Sequence, residues 1–136
     1  METHNGGAPI TVVVADDHPL YRDGLVRAIS SVPELVLVGE AADGHEAEQL
    51  IEERRPDVVL LDVKMPGLGG VELCERIARR ALPTRVLMIS AYLDPSLVAR
   101  ALAAGAAGYL GKDASRDEIC EAIVQVGRGV ATAQVP

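Results

Sequence analysis

The stretch TVVVADDHPLY, residues 11–21, joins a run of β-branched apolar residues to two adjacent carboxylates, Asp16 and Asp17, and then to His18 and Pro19. Three valines in succession suit a strand covered on both faces, because a strand with one wet face would alternate. Pro19 suits the first turn of a helix, where its missing N–H costs nothing. The stretch therefore reads as a buried strand that passes into a helix and delivers two negative charges to its own tip.

Working outward, the same pattern recurs. Apolar runs that read as strands are ITVVVA (10–15), LVLVGEA (35–41), DVVLLD (57–62), RVLMIS (85–90) and AAGYL (106–110). Between them, apolar residues recur with helical spacing: Tyr21, Leu25, Ala28, Ile29 and Val32; Ala47, Leu50 and Ile51; Val71, Cys74, Ile77 and Ala78; Leu97, Val98, Ala101 and Leu102; Ile119, Ala122, Ile123 and Val126. Asp94 before Pro95 reads as an N-cap, and Ser115 with Glu118 as a capping box. Gly105 and Gly127 suit helix ends. Pro66 and the glycines of MPGLGG (65–70) turn the chain from the third strand into the third helix.

Strict alternation of strand and helix predicts an α/β fold, a doubly wound (βα)5 sandwich with a five-stranded parallel sheet of order 2-1-3-4-5. It occupies residues 10–129, preceded by a flexible arm over 1–9, while 130–136 follows neither pattern.

Composition narrows the function. The net charge of −7 argues against this chain gripping a phosphate backbone itself. No apolar run approaches the ~20 residues of a membrane span, and METHNGGAP has no signal-peptide features. Cys74 and Cys120 form neither a metal-site nor a disulfide pattern, so a reduced, cytoplasmic setting is expected. Of 13 basic residues only Lys64 and Lys112 are lysines.

In doubly wound sheets, ligands bind outside the carboxyl ends of the strands, at the switch point between the first and third. Asp16 and Asp17 end the first strand, Asp62 the third, Ser90 the fourth, and the fifth runs into Lys112. Singly, each has an ordinary explanation, such as a helix start for the Asp pair or a solvated strand end for Asp62. Together they converge on one edge. Two carboxylates ~5 Å apart repel by roughly 3 kcal/mol at an effective dielectric near 20, so three either hold protons or hold a cation. Oxygen ligands suit a hard divalent ion, and Mg2+ is the usual one beside phosphates. A metal, an ammonium and a hydroxyl around one carboxylate equip it to accept a phosphoryl group. His18 is expected to be a helix-start residue rather than a metal ligand or base, and His45 and the cysteines to be structural.

With VVVADDHPLYRDGL, PDVVLLDVKMPGLGGVEL, RVLMISAY and ALAAGAAGYLGKDAS in this order, the sequence resembles the receiver domains of two-component response regulators, which are CheY- and flavodoxin-like, and more narrowly the NarL/FixJ subfamily. The resemblance implies that Asp62 accepts a phosphoryl group from a sensor histidine kinase. It implies that Mg2+ is bound by Asp17, Asp62 and the backbone carbonyl of Lys64, with Asp16 assisting through water. Lys112 and Ser90 would contact the phosphoryl group, and Tyr109 would be the switch aromatic that reorients with Ser90. Asp113 stands where many receivers have proline after the lysine, and Lys64 replaces a common Asn or Arg near the path of attacking water.

The family generally carries a helix-turn-helix domain after the receiver, so GRGVATAQVP reads as the start of a linker in a transcription regulator that homodimerises on activation and touches DNA through that other domain. A stand-alone receiver or adaptor acting through protein contacts is the alternative. A Mg2+-dependent phosphohydrolase with an aspartate nucleophile would need a second Asp where Lys64 stands, and the protein is not expected to be a turnover enzyme. A dinucleotide or flavin module would need a Gly-rich phosphate loop, which DDHPLYRDG is not.

Overall fold

Ile10–Ala15 forms β1, which pairs in parallel with Leu35–Ala41 (β2) on one side and Val58–Asp62 (β3) on the other. Arg85–Ser90 (β4) and Gly108–Gly111 (β5) extend the sheet outward from β3. The helices between them are Pro19–Ser30 (α1), Gly44–Arg54 (α2), Gly70–Arg79 (α3), Pro95–Ala103 (α4) and Arg116–Gly127 (α5). The computed structural model describes residues 8–129 and the backbone of residues 132 and 133. Most of the expected N-terminal arm, and all of the expected linker except residues 132 and 133, lie outside the described residues.

The five strands take the expected order 2-1-3-4-5, and a two-residue strand, Thr132–Ala133 (β6), adds in parallel beside β5. A sixth strand was not expected, since two residues carry no periodicity. The reason is tertiary: an edge strand offers unpaired backbone groups that a passing segment can take up.

Alternate residues of each strand feed two cores, which is why the runs read as continuously apolar. On one face Val13, Val59, Leu61 and Met88 pack with Ala47 and Ile51 of α2, Leu73 and Ile77 of α3, and Val98 and Ala101 of α4. On the other, Val12, Val14, Leu60 and Ile89 pack with Leu25 and Ile29 of α1 and Ile119, Ile123 and Val126 of α5. The absence of Phe and Trp is met mostly by Val, Leu, Ile and Ala, with Met88, Tyr109 and the two cysteines also buried in the cores.

The end signals hold with one correction. Asp94 accepts from the Ser96 N–H at 2.9 Å, and Ser115 and Glu118 form both bonds of the capping box. Gly105, after α4, takes the left-handed conformation at φ 110°. Gly127 does not: it lies inside the last turn of α5, where a Cβ would stand 2.6 Å from Ile10 Cγ2. Gly129, at φ 86°, takes the left-handed turn instead. The glycine at 127 is required by the close approach of α5 to the first residue of β1. Strand 3 begins one residue later than expected, at Val58, although the Asp57 backbone still bonds to Thr11 and Arg85 and its carboxylate accepts from the Thr11 N–H at 2.9 Å. Among the described residues no helix is long and apolar enough to cross a membrane.

Candidate functional site

Parallel pairing of β1 with β3 sets Ala15 opposite Leu61, so the two strands run out side by side. Asp16, the residue after β1, is fully buried, and Asp62, the last of β3, is 3% exposed. Asp17 is partly open to water. Lys112 reaches the same point from the end of β5, where its own N–H donates to the Ser90 carbonyl at 2.8 Å. Its Nζ donates to Asp62 Oδ2 at 3.1 Å and lies 2.8 Å from Asp16 Oδ2. The second is a charge contact without hydrogen-bond geometry, and Asp16 Oδ2 and Asp17 Oδ1 have no hydrogen bond among the described residues.

The pocket holds more negative charge than Lys112 neutralises. Burial pushes the Asp62 carboxyl above its ordinary pKa, the charge of Asp16 adds to that, and Lys112 and the Lys64 N–H only partly oppose it. Burial works against the Lys112 ammonium, but Asp16 and Asp62 outweigh it and hold its pKa above the usual value. Asp16, Asp17, His18 and Asp62 each offer a ligand atom, all within 4.8 Å of one another. Such a group can hold a divalent cation.

Ser90 and Tyr109 meet at a common residue. The buried Ser90 Oγ accepts from the Tyr92 N–H at 3.0 Å, and the hydroxyl of the buried Tyr109 donates to the Tyr92 carbonyl at 3.0 Å. Lys64 donates its backbone N–H to Asp62 Oδ1 at 3.3 Å, and its ammonium stands 4.5 Å from the centroid of the Tyr92 ring. All seven residues singled out from the sequence therefore lie at the carboxyl edge of the sheet or one hydrogen bond from it.

Three further residues were not anticipated there. His18 is the N-cap of α1, as expected, but makes no side-chain cap bond. Its ring turns into the pocket instead, with Nδ1 3.0 Å from Asp16 Oδ1, 3.2 Å from Asp17 Oδ1 and 3.6 Å from Asp62 Oδ2. Tyr21 sits in the first turn of α1, with Lys112 Nζ 4.6 Å and Arg116 Cζ 4.8 Å from its ring centroid. Burial pushes its phenol up to about 12. Its place one turn into α1 is the signal that could have put it near the strand tip. Tyr92 had no such signal, since its place depends on the bond it gives to Ser90 and the one it receives from Tyr109.

A doubly wound sheet with an acidic pocket and a lysine gathered at its switch point defines a class of α/β domains that bind ligands there. The chain belongs to the response regulator receiver domains, whose family model matches residues 12–124, and it is of the NarL/LuxR type. It is 48% identical over 120 residues to the Mycobacterium tuberculosis protein described as "Probable transcriptional regulatory protein NarL", covering 88% of this chain and 56% of that protein. It is 36% identical over 121 residues to the nitrate/nitrite response regulator protein NarL of Escherichia coli, covering 89% and 56%. The solved signal receiver domain of NarL from Mycobacterium tuberculosis superposes with a TM-score of 0.88 at 47% identity, covering 90% of this chain and 99% of that one. The chain thus spans little more than half the length of the curated relatives it matches.

Proposed function

We propose that the protein is a phosphorylation-controlled switch in which Asp62 accepts a phosphoryl group from a phosphohistidine on a sensor histidine kinase. One Asp62 oxygen forms the new P–O bond as the P–N bond breaks, and the kinase imidazole leaves with the bonding pair. The observation that carries this reading is the meeting of Asp16, Asp17 and Asp62 with the Lys112 ammonium at one buried edge.

The residues fit Mg2+: the donors are carboxylate oxygens, two of them buried without a hydrogen bond, and the raised pKa of Asp62 marks negative charge that wants a cation. Asp17, Asp62 and the Lys64 carbonyl would hold the ion, with Asp16 acting through water. When bound, Mg2+ neutralises charge on the transferring phosphoryl oxygens. Lys112 supplies a fixed positive charge to the same oxygens, and its contact with Asp62 Oδ2 orients the acceptor.

Ser90 donates its hydroxyl to the phosphoryl group. Rotating Oγ toward the phosphoryl group takes it away from the Tyr92 N–H, and the loop that Tyr109 also holds is then free to repack, which biases the populations of two conformations. Water near Lys64 slowly removes the phosphoryl group, so the protein is a timer rather than a turnover enzyme. In the whole protein the switch controls homodimerisation and transcription through a separate DNA-binding domain. The net charge of −7 supports leaving DNA contact to that domain. Two buried free thiols, with Cys74 pushed up to about 11 by burial, support a reducing cytoplasmic setting.

The test is intact mass after incubation with acetyl phosphate, with and without Mg2+. A single phosphoryl adduct that needs Mg2+ and is absent in Asp62→Asn is the expected result. An adduct that survives in Asp62→Asn would reassign the acceptor, and no adduct under any condition would reject the reading.

A further inference from the structure

His18 lies in the pocket without serving the helix it caps. Its side chain is 63% exposed, and its Nδ1 has three carboxylate oxygens within 3.6 Å and the Lys112 ammonium at 3.0 Å. These neighbours make opposite demands on one nitrogen. Toward the ammonium, which has only N–H groups to give, Nδ1 can act only through its lone pair. Toward the carboxylates, which only accept, it can act only as an N–H donor. No tautomer satisfies both. A divalent cation among these atoms resolves the conflict, because it accepts the nitrogen lone pair and the carboxylate oxygens together. The fully buried Asp16, whose Oδ2 is 2.8 Å from Lys112 Nζ but outside hydrogen-bond geometry, adds negative charge for such a cation to balance.

We propose that His18 is a nitrogen ligand, through Nδ1, to the cation held by Asp17 and Asp62. This rests on the reading of the acidic pocket as a metal site and extends it from an all-oxygen set to one that includes imidazole. Imidazole suits borderline ions, and affinity for a mixed nitrogen–oxygen site rises from Mn2+ through Co2+ and Ni2+ to Cu2+ before falling back at Zn2+. The pocket therefore takes Mn2+, Co2+ or Zn2+ in preference to Mg2+ by a margin that three carboxylates alone would not produce. Because the ring is exposed and unanchored by a cap bond, His18 can move aside for an ion that keeps its waters. Mg2+ chemistry at Asp62 is then left intact.

The test uses the wild-type chain, His18→Asn and, as a control, His45→Asn. Asparagine is a good N-cap, so the first variant retains the start of α1, and circular dichroism checks that the fold is kept. Pulsed electron paramagnetic resonance on bound Mn2+ reads nitrogen coupling directly, and calorimetric titration gives the Mn2+ and Mg2+ affinities. Nitrogen coupling is expected in wild type and His45→Asn and lost in His18→Asn. In that variant Mn2+ affinity falls on the order of tenfold while Mg2+ affinity is little changed. Bound Mn2+ with no nitrogen coupling in wild type, or an equal loss of both ions in His18→Asn, would overturn the proposal and leave the phosphorylation reading standing. Failure of wild type to bind either ion would overturn both.

Discussion

Asp62 and Glu48 are carboxylates removed from water that titrate in opposite directions. The Glu48 carboxyl is held below its ordinary pKa, chiefly by hydrogen bonds from Arg76 at 2.9 Å and with help from Arg80. Its contribution to stability is present above the ordinary Glu value of about 4.3 and is lost as pH falls. Asp62, raised by burial and by Asp16, contributes fully below the ordinary Asp value of about 3.9. That contribution is lost as pH rises through its shifted pKa. Asp62→Asn is therefore expected to stabilise the protein in EDTA at neutral pH and to raise its Tm. The gain shrinks toward pH 4, and added Mg2+ reverses it by stabilising only the wild type. Urea or thermal unfolding across that range checks the sign. A variant less stable than wild type at pH 7 in EDTA would show that the Lys112 ion pair outweighs the burial cost.

At the scale of elements, α3 and α5 are set on the sheet by different means. α3 starts at Gly70, where a Cβ would stand 2.5 Å from the Asp62 carbonyl oxygen and 2.9 Å from Val63 Cα, both backbone atoms that cannot turn aside. Gly70→Ala is expected to cost about 1–3 kcal/mol and to slow phosphorylation by shifting the end of β3. Gly69→Ala, whose nearest neighbour would be the Val63 oxygen at 3.8 Å, should cost under about 1 kcal/mol. Equal effects from the two would remove the steric argument. α5 depends on its capping box, and Ser115→Ala should cost about 1 kcal/mol in urea unfolding. That loss falls on the helix whose Ile119, Ile123 and Val126 build one of the two cores.

Across the whole molecule, the two cores share a single sheet, so neither can melt while the other persists. Leu60 and Leu61 are adjacent in β3, both fully buried, and serve opposite cores. Leu60→Ala and Leu61→Ala should each cost about 2–5 kcal/mol, and each should keep one cooperative transition. Far-ultraviolet dichroism and tyrosine absorbance, to which the buried Tyr109 contributes, would then report the same midpoint in both variants. Separate midpoints would mean that the two faces are independent folding units.

Strands β1, β2 and β4, the N-caps at Asp94 and Ser115, and the gathering of Asp16, Asp17, Asp62, Ser90 and Lys112 at one edge could all be read from the chain itself. Each rests on neighbours a few residues apart, or on a rule that ties strand ends to ligand sites, and the family resemblance rests on motifs that are themselves contiguous. What only the tertiary structure decided depends on residues far apart in sequence. The turn of His18 toward Lys112 spans 94 positions. Tyr92 is held between Ser90 and Tyr109, the glycine at 127 is demanded by Ile10, and β6 exists only because β5 leaves an edge open. Periodicity and capping are local energies and are written locally. Which polar atom is left without a partner in a buried pocket is settled only when distant strands bring their ends together.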